Sequence, residues 1–193
     1  MWQSRDLTLV ILIAVASFVY TALVGQLGWL FTGIPGSNQI FTIGHGILVS
    51  FAFLIYQGRR WRFLLQQSLF AILVIPTFLL GTPFEVLPRV AIVIHAIQGD
   101  IVFNSLYGFF KRRNKLLWWS IFNAVEFFIV VKFVNILWFS LIYPPEFVTT
   151  FINTTLLLAP LSIGGTFFGG IIGYKIYQRI KKLPFEPINL DKV

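Results

Sequence analysis

The chain has no cysteine among its 193 residues, which excludes a disulfide framework, a thiolate metal site and a cysteine nucleophile. Charge is scarce too: Asp, Glu, Lys and Arg make up 11% of the residues, against roughly a quarter in an ordinary soluble domain. A soluble fold of this length buries only about 70% of its surface. With 57% hydrophobic residues and a mean hydropathy of +0.82, much apolar surface would then face water, and a bilayer removes that conflict. Catalytic signatures are also missing. No HExxH, GxSxG or GxxxxGKS/T occurs, so nothing points to a metal protease, a hydrolase or an ATPase. The chain is therefore read as a non-enzyme without a cofactor, and any transport it serves must take its energy from a partner or an ion gradient.

What is present is a series of long apolar runs, with no linker or second domain between them. A membrane-spanning helix needs about 20 predominantly apolar residues, and six segments qualify: about 7–25, 39–56, 63–80, 89–110, 116–142 and 147–177. The expected fold is thus all-α, a single six-helix membrane bundle over residues 1–193, with a tail at 178–193. Pro76 is expected to kink the third span, and Pro160 with the glycines after it to break or kink the sixth. The first connection, 26–38, holds turn formers but also Leu27, Trp29, Leu30 and Phe31, too apolar for a solvated loop.

The net charge of +8 is concentrated in alternate connections. Arg59, Arg60 and Arg62 follow the second span, Lys111, Arg112, Arg113 and Lys115 follow the fourth, and Lys175, Arg179, Lys181 and Lys182 follow the sixth. The other connections hold almost no Lys or Arg. This alternation predicts both termini in the cytoplasm and argues against nucleic-acid binding.

Ionisable residues at membrane depth are costly and mark candidate functional positions. On span four, Arg89 and Asp100 are about three turns apart and share a face, with Asn104 close to it. On span five Lys132 and Asn135 are neighbours, while Glu126 faces elsewhere. Counted from the helix ends, Asp100 and Lys132 fall at similar depth, which predicts an interhelical pair serving as a clamp or as a ligand contact. His45 and His95 are each read as a bonded interhelical histidine or a ligand contact; a zinc site would need further ligands. Trp29, Phe31, Phe84, Trp138 and Tyr143 surround an expected pocket or form an interfacial belt, and Trp29 is a candidate lid. Small residues recur at packing spacing: Ala14, Ser17, Thr21 and Gly25 on span one, Gly165, Gly169 and Gly173 on span six. Such ridges either pack within the chain or form a surface for another membrane protein.

Several stretches together resemble the substrate-binding (S) components of energy-coupling factor transporters: Arg5-Asp6-Leu7-Thr8-Leu9 before a small-residue span, Ile34-Pro35-Gly36, Gly58-Arg59-Arg60, and Gly99-Asp100. The resemblance covers most of the chain in size, topology and layout. It implies a six-helix protein of the cell membrane that captures a vitamin, vitamin precursor or metal ion from outside. It further implies passage to a transmembrane coupling subunit driven by two cytoplasmic ATPases. By position, Trp29, Arg89, His95, Asp100, Lys132, Asn135 and Asn153 become ligand-contact candidates, and Ala14, Ser17 and Thr21 become docking candidates. Here Ser17-xxx-Thr21 stands where the family has an alanine pair. A stand-alone transporter or channel using Asp100 and Glu126, and a membrane-embedded enzyme, are the competing readings.

Overall fold

The computed structural model describes residues 4–79 and 81–182, with Arg5 placed by its backbone alone. Every regular element among them is helical. Helix α1 (Ser4–Tyr20) runs on through a π-helical turn at Thr21–Gly25 into the short α2 (Leu27–Thr32). The Ser17 and Thr21 hydroxyls donate back to the carbonyls of Ile13 and Ser17 at 2.8 and 2.7 Å, a pattern that competes with the helical ladder and bends it. Gly33, at φ 64°, ends α2 by bonding to the Trp29 carbonyl, as left-handed glycine caps do. The chain then folds back so tightly that a Cβ on Gly28 would meet the Ser37 backbone. A 3-10 turn at Ser37–Phe41 leads into α3 (Thr42–Tyr56).

Helices α4 (Arg62–Val74), α5 (Leu87–Arg112), α6 (Leu116–Ile142) and α7 (Pro145–Lys181) follow. Among the described residues five segments are long and apolar enough to cross a membrane: Asp6–Thr32, Ser37–Tyr56, Leu87–Arg112, Leu116–Ile142 and Pro145–Lys181. The expected third span at 63–80 is instead the 13-residue α4, about 20 Å long where the hydrocarbon core is about 30 Å. Pro76 terminates this helix rather than kinking it. It has no N–H to donate, and its ring clashes with the carbonyl four residues back. Of the break or kink expected at Pro160 the break does not occur, because α7 continues through it. There the lost bond is one among many, and the helix is held along its length by α3 and α6. The expected tail begins later than 178, since α7 reaches Lys181; its remainder, 183–193, lies outside the described residues.

Helix contacts run α1 to α4, α4 to α5, α5 to α6, α6 to α3, and α3 back to α1, with α7 laid along α3 and α6. The glycine ridge of α7 is used up in this packing. A Cβ on Gly169 would stand 2.6 Å from the Ile43 carbonyl oxygen, and one on Gly170 2.7 Å from the Ile121 Cα. Close backbone approach is what small residues permit between helices in lipid. Ala14, Ser17 and Thr21, the expected docking residues, are all buried within the bundle. What α1 presents outward is Leu7, Ile11, Leu12, Val15 and Val19.

At the end of the bundle carrying the basic clusters the interior is filled by aromatic rings. Phe53 packs against Phe63 and Phe103 at centroid distances of 4.3 and 4.8 Å, and Tyr107 meets Trp119 at 5.3 Å. Several polar groups there are paired, while the buried Trp119 Nε1 and the Asn123 amide have no partner among the described residues. Asp6 pairs with Arg59 at 2.8 Å and Arg62 at 2.7 Å, and Tyr56 donates to Gln66 at 2.8 Å.

Candidate functional site

The opposite, charge-poor end is hollow. A cavity of about 500 Å³ descends from the connections at that end to the middle of the bundle. Its size is that of a small-molecule site. The folded-back segment between α1 and α3 contributes Trp29 and Gln39 at the mouth, and the turn before α5 contributes Thr82 and Glu85. Phe127, Phe128 and Phe139 of α6 form an aromatic wall. The 3.6-residue repeat puts Phe128, Lys132, Asn135 and Phe139 on one face of α6, and that face is turned to the cavity.

Polar groups converge on the wall from several helices. Lys132 stands over the Phe128 ring with Nζ 5.7 Å from its centroid. His95 Nε2 lies 3.1 Å from Asn135 Oδ1, linking α5 to α6. His45 Nε2 is 3.2 Å from Thr21 Oγ1, and Tyr20 meets the His45 ring edge-on at 4.9 Å. Gln39 donates to Thr155 at 2.8 Å. Its Oε1 has no partner among the described residues, nor has the buried Nε2 of Gln26. At the mouth, Glu85 accepts from the Thr82 N–H at 3.1 Å and hydroxyl at 2.7 Å. Burial pushes the nearby Tyr143 phenol up from its ordinary value, Glu85 adds to this and Arg89 opposes it, so the ring presents a neutral hydroxyl.

Of the seven ligand candidates, Trp29, His95, Lys132 and Asn135 line this cavity, whereas Arg89, Asp100 and Asn153 do not. Arg89 is 1% exposed, and its guanidinium is consumed by the backbone after α4. It donates to the carbonyls of Thr77 at 2.9 Å, Leu79 at 3.0 Å and Thr82 at 2.8 Å, and to that of Glu85. Asp100 accepts from the Trp61 N–H at 2.8 Å, from the Leu64 N–H and from Asn104. It therefore caps the N-terminus of α4, where a carboxylate is favoured by the unpaired N–H groups and the helix dipole. The expected Asp100–Lys132 pair does not form. Depth counted from helix ends took no account of α4, whose short length brings its start against Asp100. Asn153 lies on the exposed side of α7.

Among the expected aromatics, Trp29 and Tyr143 reach the cavity, Phe31 and Phe84 are exposed, and Trp138 bonds to the Leu87 carbonyl at 2.8 Å. Glu126 accepts from Gln98 at 2.8 Å beside a separate shallow groove with Trp118, Phe122 and Phe167. Gln26, Gln39, Thr42 and Gln67 were not singled out in the sequence, yet all four line the cavity. A usable signal existed for the first two, since they flank an apolar connection that has to pack inside. Ser17 and Thr21, expected at a partner surface, line it as well.

Among the described residues no group of three or more His, Cys, Asp or Glu is placed to hold a metal ion. Comparison with protein-family models, with curated proteins and with solved structures gives no match.

Proposed function

We propose that the protein is a membrane-embedded capture subunit of an importer, binding a small molecule at its charge-poor end and passing it inward. The observation that carries this reading is the asymmetry of the interior: a ligand-sized cavity with convergent polar groups at one end, closed below by a continuous aromatic core. A channel needs a through-path, and here Phe53, Phe63, Phe103 and Trp119 fill the space where it would run. The competing ion-coupled reading relied on Asp100 and Glu126. Asp100 is occupied by three donors and Glu126 lies outside the cavity, so neither favours it.

In the finer form of the proposal, the chain crosses the cell membrane six times. Helix α4 and the turns after it complete one crossing, and the basic clusters hold both termini in the cytoplasm. Delivery to a transmembrane coupling subunit and two cytoplasmic ATPases is supported by the resemblance to energy-coupling factor S components and by the absence of a nucleotide-binding motif in this chain. Native mass spectrometry of the purified protein tests capture directly, with a retained small molecule as the expected result. Co-purification of a coupling subunit with ATPases is expected too. Robust uptake by this chain alone, in liposomes holding an ion gradient, would sink the proposal.

A further inference from the structure

We infer that the cavity selects organic monocarboxylates with an apolar, ring-sized body, Lys132 being the counter-ion for the carboxylate. The inference rests on the capture reading and adds the ligand's charge to it.

Lys132 is the only Lys or Arg in the cavity lining among the described residues. It makes no ion pair and no hydrogen bond among those residues; its one contact of note is the Phe128 ring face. The carboxylate nearest in kind, Glu85, is held at the mouth by Thr82. Of the other described acids, Asp6 is taken by Arg59 and Arg62 and Asp100 by α4. Glu126 accepts from Gln98 beside a different groove, and Glu146 is exposed at the start of α7, outside the cavity lining. An ammonium facing an apolar cavity without a counter-charge is costly by itself, and an anion entering the cavity removes that cost. One further donor lines the cavity: the Asn135 amide, whose oxygen is engaged by His95, has its NH₂ to donate.

The count of charges separates the candidate anions. A phosphate monoester carries about −1.5 to −2 at pH 7, more than one ammonium balances, while a carboxylate carries one. The body of the ligand is set by the walls. Phe127, Phe128 and Phe139 on one side and Val49, Phe70 and Ile92 on others favour a flat or compact apolar group.

Matched acid and amide pairs test this with the full chain in detergent: 2-naphthoate against 2-naphthamide, and cyclohexanecarboxylate against cyclohexanecarboxamide, read by thermal unfolding and by quenching of tryptophan fluorescence. The acids are expected to bind and raise the melting temperature, the amides not. Lys132→Met is expected to weaken acid binding by at least about 30-fold, the loss typical of truncating one partner of a buried charge pair, and Lys132→Arg by less than that. Without ligand, Lys132→Met is expected to melt higher than the parent, since an uncompensated charge is gone; a structural lysine would make it melt lower. The inference is overturned if amides bind as well as acids, if Lys132→Met keeps acid affinity within about threefold, or if no acid in the panel binds. A neutral or cationic molecule retained through purification, and held equally by Lys132→Met, would overturn the inference and leave capture standing. No retained molecule and no binding at all would remove both.

Discussion

The two ends of the bundle are built from similar apolar helices yet fill their interiors in opposite ways. At the basic end Asp6 has two arginines, Tyr56 has Gln66, and Asp100 has two backbone N–H groups and an amide. Aromatic rings close the space between them. At the charge-poor end Lys132, Gln26 and Gln39 keep unused hydrogen-bonding capacity beside a cavity. A buried polar group left unpaired costs about 1–3 kcal/mol. At the basic end Trp119 Nε1 and the Asn123 amide carry that cost inside close packing, whereas at the other end the unpaired groups belong to residues that line a cavity.

Arg89 should give the largest effect, because it lies near the cavity but belongs by its bonds to the satisfied class. Arg89→Ala leaves several carbonyls of the 74–85 segment without a donor and is expected to destabilise by about 3–5 kcal/mol. Arg89→Lys should recover little of this, since one ammonium does not reproduce the guanidinium fork. Denaturation in detergent measures both, and a stable Arg89→Ala protein with weakened ligand binding would place Arg89 back among the ligand contacts.

Asp100→Ala should follow at about 3 kcal/mol, with three donors orphaned at the start of α4. The same readout applies, and the surviving folded protein should keep its ligand affinity. Unchanged stability would show that the basic end is less tightly satisfied than its bonds suggest. Below these comes a pair on α7. Gly169→Ala pushes a methyl into the α3 backbone and should cost about 1–3 kcal/mol. Gly164→Ala meets nothing within 4 Å and should be neutral or stabilise by up to about 1 kcal/mol. Equal melting temperatures for the two would break the assignment of the ridge to packing inside the chain.

Trp29→Ala is expected to change stability least, by under about 1 kcal/mol, because the side chain is 43% exposed and sits in a connecting segment. Its consequence should appear in ligand dissociation instead. A faster off-rate at nearly unchanged melting temperature would mark Trp29 as a lid, and an unchanged off-rate would reduce it to an interfacial aromatic.

The helical layout was largely legible beforehand. The fifth span was expected at 116–142 and α6 occupies Leu116–Ile142; the fourth was expected at 89–110 and α5 runs Leu87–Arg112. The third failed because one proline, Pro76, has two outcomes in an apolar run, and neighbouring bonds choose between them: Arg89 satisfies the Thr77 and Leu79 carbonyls of the turn that follows Pro76. At Pro160 the packing against α3 and α6 chose continuity. The candidate site divided along a similar line. Lys132, Asn135, His95 and Trp29 reached one cavity, while Arg89 and Asp100, equally conspicuous as polar residues in apolar surroundings, were absorbed by backbone groups near in space but distant along the chain.

Sequence by itself determined where helices form, because in an apolar medium each run must satisfy its own backbone, and that requirement is local. It also determined which residues would be expensive to bury, since that cost belongs to the side chain. Tertiary structure alone decided which of those costs the protein offsets. The glycine ridge of α7 turned inward through helix pairing, and Asp100 found the start of a helix rather than Lys132. Lys132 was left facing open space because the one acid expected to meet it was bonded elsewhere, an outcome set by contacts that no spacing along the chain encodes.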